Sequence, residues 1–126
     1  MSIGERSPVA IYDAPASGRL AISESLTNIL SSGIEDISKV KLSANWMASP
    51  NTDSNNFDLY ETVRTISEDL CAAWNITIPV GKDSLSMETT WDNKRTTSPL
   101  TLIISAFSQI RDCLLYTSPS PRDPIG

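Results

Sequence analysis

A helix-forming pattern that leads directly into a strand-forming pattern constrains the fold of this chain more than any other feature. Within residues 58–74, apolar side chains recur at the spacing that places them on one face of a helix: Leu59, Val63, Ile66 and Leu70. Asn75 interrupts the pattern, and residues 76–80 then form the apolar run of a short strand. The middle of the chain is therefore predicted to be a helix and a strand joined by a brief turn.

The remaining segments extend this alternation. A second apolar stripe predicts a helix over residues 19–30, preceded by a turn in which Asp13 or Ser17 caps the helix. Further runs predict strands at residues 8–12, 37–47, 86–91 and 99–110, with a polar loop at 48–56 and a polar turn at 91–97. The order β-α-β-α-β-β-β is typical of the α+β class, and we expect a mixed β-sheet with two helices on one face.

Composition excludes several classes of function. The 126 residues correspond to one domain. The net charge of −5 argues against a nucleic-acid-binding protein, which normally carries a basic face. No apolar run reaches the ~20 residues of a membrane span, and the first residues lack the basic-then-apolar order of a signal peptide. Because the sequence has no histidine, Ser-His-Asp and Cys-His triads and most zinc sites are excluded.

The two cysteines, Cys71 and Cys113, have neither the spacing of a metal site nor that of a disulfide framework. Cys71 falls in the helix predicted over residues 58–74, beside Leu70, which favours a buried free thiol. These features are consistent with a reducing compartment, and we expect the protein to be cytoplasmic.

Polar residues suited to a metal–nucleotide site follow the strand at residues 76–80. Four of them come after Gly81: Lys82, Asp83, Ser84 and Ser86. The end of a strand places them at the rim of the predicted sheet, where α/β-type proteins gather ligands. The Asp83 carboxylate suits Mg²⁺, and the lysine and serines suit phosphate oxygens. The spacing is not that of a Walker A loop, and a plain turn between two strands explains the same residues.

A second pair of oxygen donors lies in the first predicted helix. Glu24 and Asn28 are four residues apart, so their side chains meet on one side of the helix. A carboxylate and an amide oxygen side by side can share one Mg²⁺, with water completing the coordination. On spacing alone, an ordinary solvated helix face is the simpler interpretation.

Several longer motifs occur in a fixed order along the chain. They are GERSPVA (residues 4–10), DAPASGR (13–19), ESLTN (24–28), LSANWM (42–47), IPVGKDSLSM (78–87), and TSPL (97–100) ahead of ISAF (104–107). The series closely resembles the large, single-chain form of phosphoribosylformylglycinamidine synthase over residues 3–112. That family is an ATP-dependent carbon–nitrogen ligase of purine biosynthesis, which amidates formylglycinamide ribonucleotide with glutamine as the amido donor.

The resemblance implies a fold and a site. The fold would resemble the N-terminal subdomain of aminoimidazole ribonucleotide synthetase, here in the second half of the synthetase core. Glu24, Asn28 and Asp83 would be Mg²⁺ ligands beside bound ATP or ADP. One or both of Ser84 and Ser86 would contact that nucleotide, with Lys82 beside them. The resemblance assigns no catalytic residue, because it implies that one of the family's two pseudo-symmetric sites holds a structural nucleotide.

The resemblance also implies a division of the chain and a set of partners. Residues 3–112 would form the nucleotide-binding subdomain. Residues 113–126 depart from the family pattern and carry three prolines within residues 117–124, which predicts a non-family or disordered tail. The partners would be the rest of the synthetase core, the glutaminase domain and a nucleotide substrate, and the chain alone is expected to be inactive. The alternative is a non-catalytic nucleotide-binding or assembly module of the same fold.

Overall fold

The main sheet has four strands, described in a computed structural model for residues 1–49 and 52–111. Within these described ranges there are six strands: β1 (Ser2–Glu5), β2 (Lys41–Met47), β3 (Thr77–Ser84), β4 (Glu88–Trp91), β5 (Lys94–Thr97) and β6 (Thr101–Phe107). The helices are α1 (Ala14–Leu30), α2 (Asp53–Arg64) and α3 (Cys71–Trp74). A π-helical turn (Thr65–Leu70) joins α2 to α3, and short 3-10 helices occupy Ser7–Ile11 and Ile37–Lys39.

The strand order of the main sheet is β1-β6-β2-β3, so β1 and β3 form its two edges. β6 is antiparallel to both β1 and β2, whereas β2 and β3 are parallel. Parallel neighbours need a crossover connection, which α2, the π-helical turn and α3 supply. β4 and β5 form a separate two-stranded hairpin between β3 and β6.

The core lies between one face of this sheet and the helices. Alternate residues of β6, Leu102, Ile104 and Ala106, are buried, as are Leu42 and Ala44 of β2. α1 packs against β1 and β6 and contributes buried aliphatic side chains, while the α2–α3 region packs beside α1 and adds Ile66 and Cys71 to the same cluster. The predicted α+β class, with a mixed sheet and two helices on one face, is confirmed.

Helix α1 lies unusually close to strand β1 at Gly4. A Cβ atom added to Gly4 would lie 1.9 Å from the Ala21 carbonyl oxygen and 2.6 Å from the Ser25 backbone nitrogen. Both helix residues have small side chains and are 0% exposed. Real Cβ atoms do not approach backbone this closely, so only glycine allows the helix to rest on the strand in this way.

The first predicted strand was wrong, and the second was predicted to begin too early. Residues 8–12 were expected to form a strand, but Ser7–Ile11 is a 3-10 helix and the first strand is the earlier Ser2–Glu5. Pro8 has no N–H to donate to a ladder, and the backbone N–H groups of Tyr12 and Asp13 bond back to the Val9 carbonyl instead. Likewise, the strand predicted at 37–47 begins only at Lys41, after a 3-10 helix capped by Asp36.

Both long helices begin earlier than predicted. α1 starts at Ala14, with Asp13 as its cap accepting a 3.0 Å hydrogen bond from the Ala16 N–H. The sequence signals that suggested a turn are compatible with the helix: Pro15 is tolerated in the first turn, and Gly18 faces α2. α2 starts at Asp53 rather than at residue 58, capped by Thr52.

The buried stripe of α2 also differs from the prediction. Val63 was expected to be buried but is 40% exposed, whereas Thr62 is 0% exposed. The reason is the crossing with α1, because the side chains closest to Gly18 are those of Thr62 and Ile66. The segment 91–97, which was predicted to be a turn, contains strand β5. The turn itself is formed by Asp92 and Asn93, whose positive φ angles of 45° and 60° suit a tight two-residue hairpin turn.

Replacing Gly4 with alanine tests the α1–β1 contact. Because the obstructing atoms belong to the backbone of α1, relief requires the helix to move, and we expect a loss of about 3 kcal/mol in the free energy of unfolding. Gly81→Ala is the matched control, since the nearest atom to its added Cβ is the Ala44 carbonyl oxygen at 3.7 Å. Urea denaturation would measure both, and equal stabilities of the two variants would contradict the packing described here.

The state of Cys71 gives a second check on the core. Its predicted burial is confirmed, since the residue is 7% exposed and is a free thiol, and burial raises its pKa. Since the thiolate is the reactive form, we expect iodoacetamide to modify Cys71 at least about tenfold more slowly in the folded chain than in urea. Peptide mass spectrometry measures this rate at Cys71 separately from Cys113, and equal rates with and without urea would show that this part of the core is open.

Candidate functional site

Helix α1 brings Glu24 and Asn28 together beside strand β1. They lie one turn apart, and each contacts the main chain of the strand. The Glu5 N–H donates to Glu24 Oε1 at 3.4 Å, and Asn28 Nδ2 donates to the Ile3 carbonyl oxygen at 3.1 Å. Both contacts depend on the close approach of α1 to Gly4, because Gly4 lies between Ile3 and Glu5, the two strand residues that take part in them. The carboxylate and amide are therefore held in a fixed relation to β1.

One arginine neutralises part of the negative charge at this position. Arg6 forms an ion pair through Nη2 with Glu24 Oε2, and its Nη1 donates to the Glu5 carbonyl oxygen at 3.0 Å. The Glu24 side chain is 23% exposed, and its Oε2 atom is buried. Hydrogen bonds from Ser7 lower the pKa of the neighbouring Glu5 carboxyl. We refer to Glu5, Arg6, Glu24 and Asn28 as the α1–β1 cluster, which has one cation for two carboxylates.

The polar residues after Gly81 lie inside a strand rather than beyond its end. β3 was expected to end near residue 80 but continues to Ser84, because β2 pairs with it as far as Met47↔Ser84. Successive side chains of a strand point to opposite faces. Asp83 is in register with Trp46, on the side of the sheet that carries the core, whereas Lys82 is in register with Asn45 and lies on the other side. All of these β3 side chains are exposed.

The two groups of predicted ligands lie at opposite edges of the sheet. Glu24 and Asn28 are beside β1, and Asp83 is on β3, three strand positions away in the order β1-β6-β2-β3. At ~4.8 Å between neighbouring strands, the backbones of β1 and β3 are ~14 Å apart. The structure therefore brings two of the three predicted metal ligands together and places the third on a separate part of the surface.

The chain turns immediately after β3, and both ends of this turn are bound to one residue. The Ala48 N–H donates to the Ser84 carbonyl at 3.0 Å, and the Met87 N–H donates to the Ala48 carbonyl at 3.2 Å. The Ser98 N–H then donates to the Met87 carbonyl at 2.9 Å. We call residues 84–87 the 84–87 turn, and it carries both candidate phosphate-binding serines, Ser84 and Ser86.

Sequence reasoning missed Arg6 and Ala48, which organise the two groups. Arg6 is the only basic residue of the GERSPVA motif, and a single positive charge inside a motif was the available signal. Ala48 acts through its backbone alone and has no signal of its own. Within residues 1–49 and 52–111, no three His, Cys, Asp or Glu side chains are grouped so that they could hold a metal ion. Among the helices of those same ranges, none is long and apolar enough to cross a membrane.

The Asn28 amide gives a direct test of how α1 is fixed to β1. Asn28→Ala removes the hydrogen bond to the Ile3 carbonyl, and we expect it to lower the free energy of unfolding by about 1 kcal/mol. Thr27→Ala is the control, because its hydroxyl bonds only within the helix, to the Ser23 carbonyl at 2.8 Å. If chemical denaturation finds the two variants equally stable, the Asn28 contact does not anchor the helix.

Comparison with known proteins agrees with the fold and with the motifs. A family model described as the FGAR-AT PurM_N-like domain matches residues 1–109. The chain is also similar to a solved structure titled "Structure of PurLQS from Thermotoga maritima", with a TM-score of 0.61 and 22% sequence identity over 82% of this chain. At that identity the likeness establishes the fold alone, and this chain spans 16% of the other chain's length. The family match covers most of the sequence, and the chain belongs to the FGAR-AT PurM_N-like domain family, that of phosphoribosylformylglycinamidine synthase.

Proposed function

We propose that this chain is part of a phosphoribosylformylglycinamidine synthase and supplies part of its Mg²⁺–nucleotide site. The whole enzyme would amidate formylglycinamide ribonucleotide with ATP and glutamine, acting in the cytoplasm. In that reaction ATP phosphorylates the substrate amide oxygen, and ammonia then displaces phosphate. The chain would contribute binding groups, while the glutaminase domain and the rest of the synthetase core would supply ammonia and the remaining site residues.

The pairing of Glu24 and Asn28 against β1 is the observation that carries this proposal. The Asn28 amide nitrogen is engaged by the Ile3 carbonyl, so the amide oxygen is the atom left to take a cation. The Glu24 carboxylate lies one turn away on the same helix and is fixed by the Glu5 N–H. Two oxygen donors held by main-chain contacts are preorganised, which lowers the ordering cost of binding a hard cation.

The residues of the α1–β1 cluster fit a divalent cation in chemistry and in charge. Glu24 Oε2 is buried, and it already holds a positive group, the Arg6 guanidinium. The Arg6 side chain is 53% exposed, so it has room to move away from the carboxylate when a cation takes its place. Bound Mg²⁺ would offset the negative charge on the nucleotide phosphates, the main requirement of phosphoryl transfer.

Asp83, Lys82, Ser84 and Ser86 would contact nucleotide from the other edge of the sheet. Lys82 and the serines are exposed donors suited to phosphate, and Asp83 is an exposed carboxylate suited to a metal bound to phosphate. Because β1 and β3 are both edge strands, a second domain of the synthetase core can lie against either edge. Such a domain would complete each half of the site with its own residues.

Variants that remove the negative charge of Glu24 or of Asp83 test this assignment through their affinity for nucleotide. ADP–Mg²⁺ would be titrated calorimetrically into this chain and into a polypeptide extended to the complete synthetase core. In the extended protein, Glu24→Gln and Asp83→Asn should each weaken binding by about 10- to 100-fold, the scale of a lost charged contact.

Glu35→Gln is the matched control, since Glu35 is also a carboxylate paired with a cation, Lys39, but lies elsewhere on the surface. Unchanged affinity in Glu24→Gln and Asp83→Asn would show that both carboxylates are structural and would overturn the assignment. If the complete enzyme is active but the nucleotide bound at this site is not turned over, that nucleotide is structural rather than a substrate.

A further inference from the structure

We propose that Glu88 and Arg95 are positioning residues that hold the 84–87 turn in place for nucleotide binding. The proposal rests on the proposed function, in which Ser84 and Ser86 contact the nucleotide. Neither Glu88 nor Arg95 belongs to the predicted ligand set. Both lie in the β4–β5 hairpin, which follows the turn directly in the sequence.

The hairpin needs an anchor to hold a fixed position. It stands outside the four-stranded sheet, and all eight of its strand residues are exposed. A two-stranded hairpin is marginally stable by itself in water. Since the 84–87 turn leads into β4, movement of the hairpin would be transmitted to Ser86 through only one intervening residue, Met87.

Glu88 supplies a side-chain anchor. Its Oε2 atom accepts a hydrogen bond from the Ser49 hydroxyl at 3.4 Å and forms an ion pair with Arg95 Nη2 at 2.8 Å. Ser49 is 2% exposed, and its carbonyl accepts a 2.7 Å hydrogen bond from Asn55 Nδ2 in the first turn of α2. One carboxylate oxygen of Glu88 thus links both strands of the hairpin to Ser49, a buried residue that follows β2.

This anchor and the backbone contacts of Ala48 act on the same few residues. Ala48 is 3% exposed and binds Ser84 and Met87, the two ends of the turn. Ser49, the next residue, binds Glu88, the first residue after the turn. The turn is therefore held from the buried segment at residues 48–49, and the Glu88–Arg95 pair keeps the β4–β5 hairpin from pulling it out of position.

Arg95 reaches Glu88 because of the hairpin register. Glu88 is opposite Thr97 and Thr90 is opposite Arg95, so Glu88 and Arg95 are diagonal neighbours on one face. The pair is partly exposed, with 29% of the Glu88 side chain and 45% of the Arg95 side chain accessible. An ion pair of this exposure contributes modestly, and its effect on nucleotide affinity should be correspondingly modest.

Nucleotide affinity in the complete synthase is the first test. Glu88→Gln and Arg95→Gln should each weaken ADP–Mg²⁺ binding by about two- to fivefold without lowering the unfolding temperature. Arg95→Lys should restore most of the affinity, because it keeps the charge. Lys94→Gln is the matched control, since it removes the same charge from the neighbouring position and should leave binding unchanged. If Glu88→Gln and Arg95→Gln bind as tightly as Lys94→Gln, the positioning role is overturned.

Hydrogen exchange in this chain is the second test and does not depend on nucleotide. Glu88→Gln should speed amide exchange within residues 84–88 and leave α1 and β6 unchanged. Unchanged exchange at residues 84–88 would overturn the proposal whatever the binding data show. If Asp83→Ala and Ser86→Ala also leave nucleotide affinity unaltered while exchange responds as expected, the proposed nucleotide site fails and the anchoring of the turn stands.

Discussion

At Gly4 the backbone of α1 rests directly on strand β1, and this contact fixes one edge of the domain. β1 is an edge strand of only four residues, paired on one side with β6. Its other support is the helix, whose backbone lies so close that no side chain fits between Ala21, Ser25 and the strand. The contact closes the core at that edge, since Ile22, Leu26 and Ile29 of the same helix pack over β6.

The same contact gives the candidate site its geometry. Glu24 and Asn28 reach the main chain on either side of Gly4, so their positions follow from the helix being seated on the strand. At the other edge, β3 is fixed differently, by parallel pairing with β2 and by the bonds of Ala48 to the 84–87 turn. The domain therefore presents two separately built groups of polar residues, one at each edge of its sheet.

Much of this could be predicted from sequence because it depends on local pattern. The α+β class, the burial of Cys71 and the proximity of Glu24 to Asn28 all follow from helical and strand periodicity. The strand β1 could not be predicted in that way, since Ser2–Glu5 has one large apolar residue, Ile3, and that residue is exposed. The position of β1 depends on the absence of a side chain at Gly4, and that absence matters only because α1 packs against the strand there.

The separation of Asp83 from Glu24 could not be predicted from the sequence, for a related reason. It depends on β6, which follows all the other strands of the described residues in sequence, inserting between β1 and β2. Strand order is set by contacts between residues about a hundred positions apart, such as Gly4 with Ile104, and no periodicity records it. The burial of Thr62 in place of Val63 was missed for the same kind of reason, because the crossing with Gly18 decides which residue is buried.

The position of a bound cation would show whether Glu24 and Asn28 are metal ligands. Crystals of the complete synthase grown with ADP and Mn²⁺ in place of Mg²⁺ would show the metal by its anomalous scattering. We expect a peak about 2.1 Å from a Glu24 carboxylate oxygen and from the Asn28 amide oxygen, with the Arg6 guanidinium moved away from Glu24. Bound nucleotide and metal remote from both side chains, with the Arg6–Glu24 ion pair intact, would contradict it.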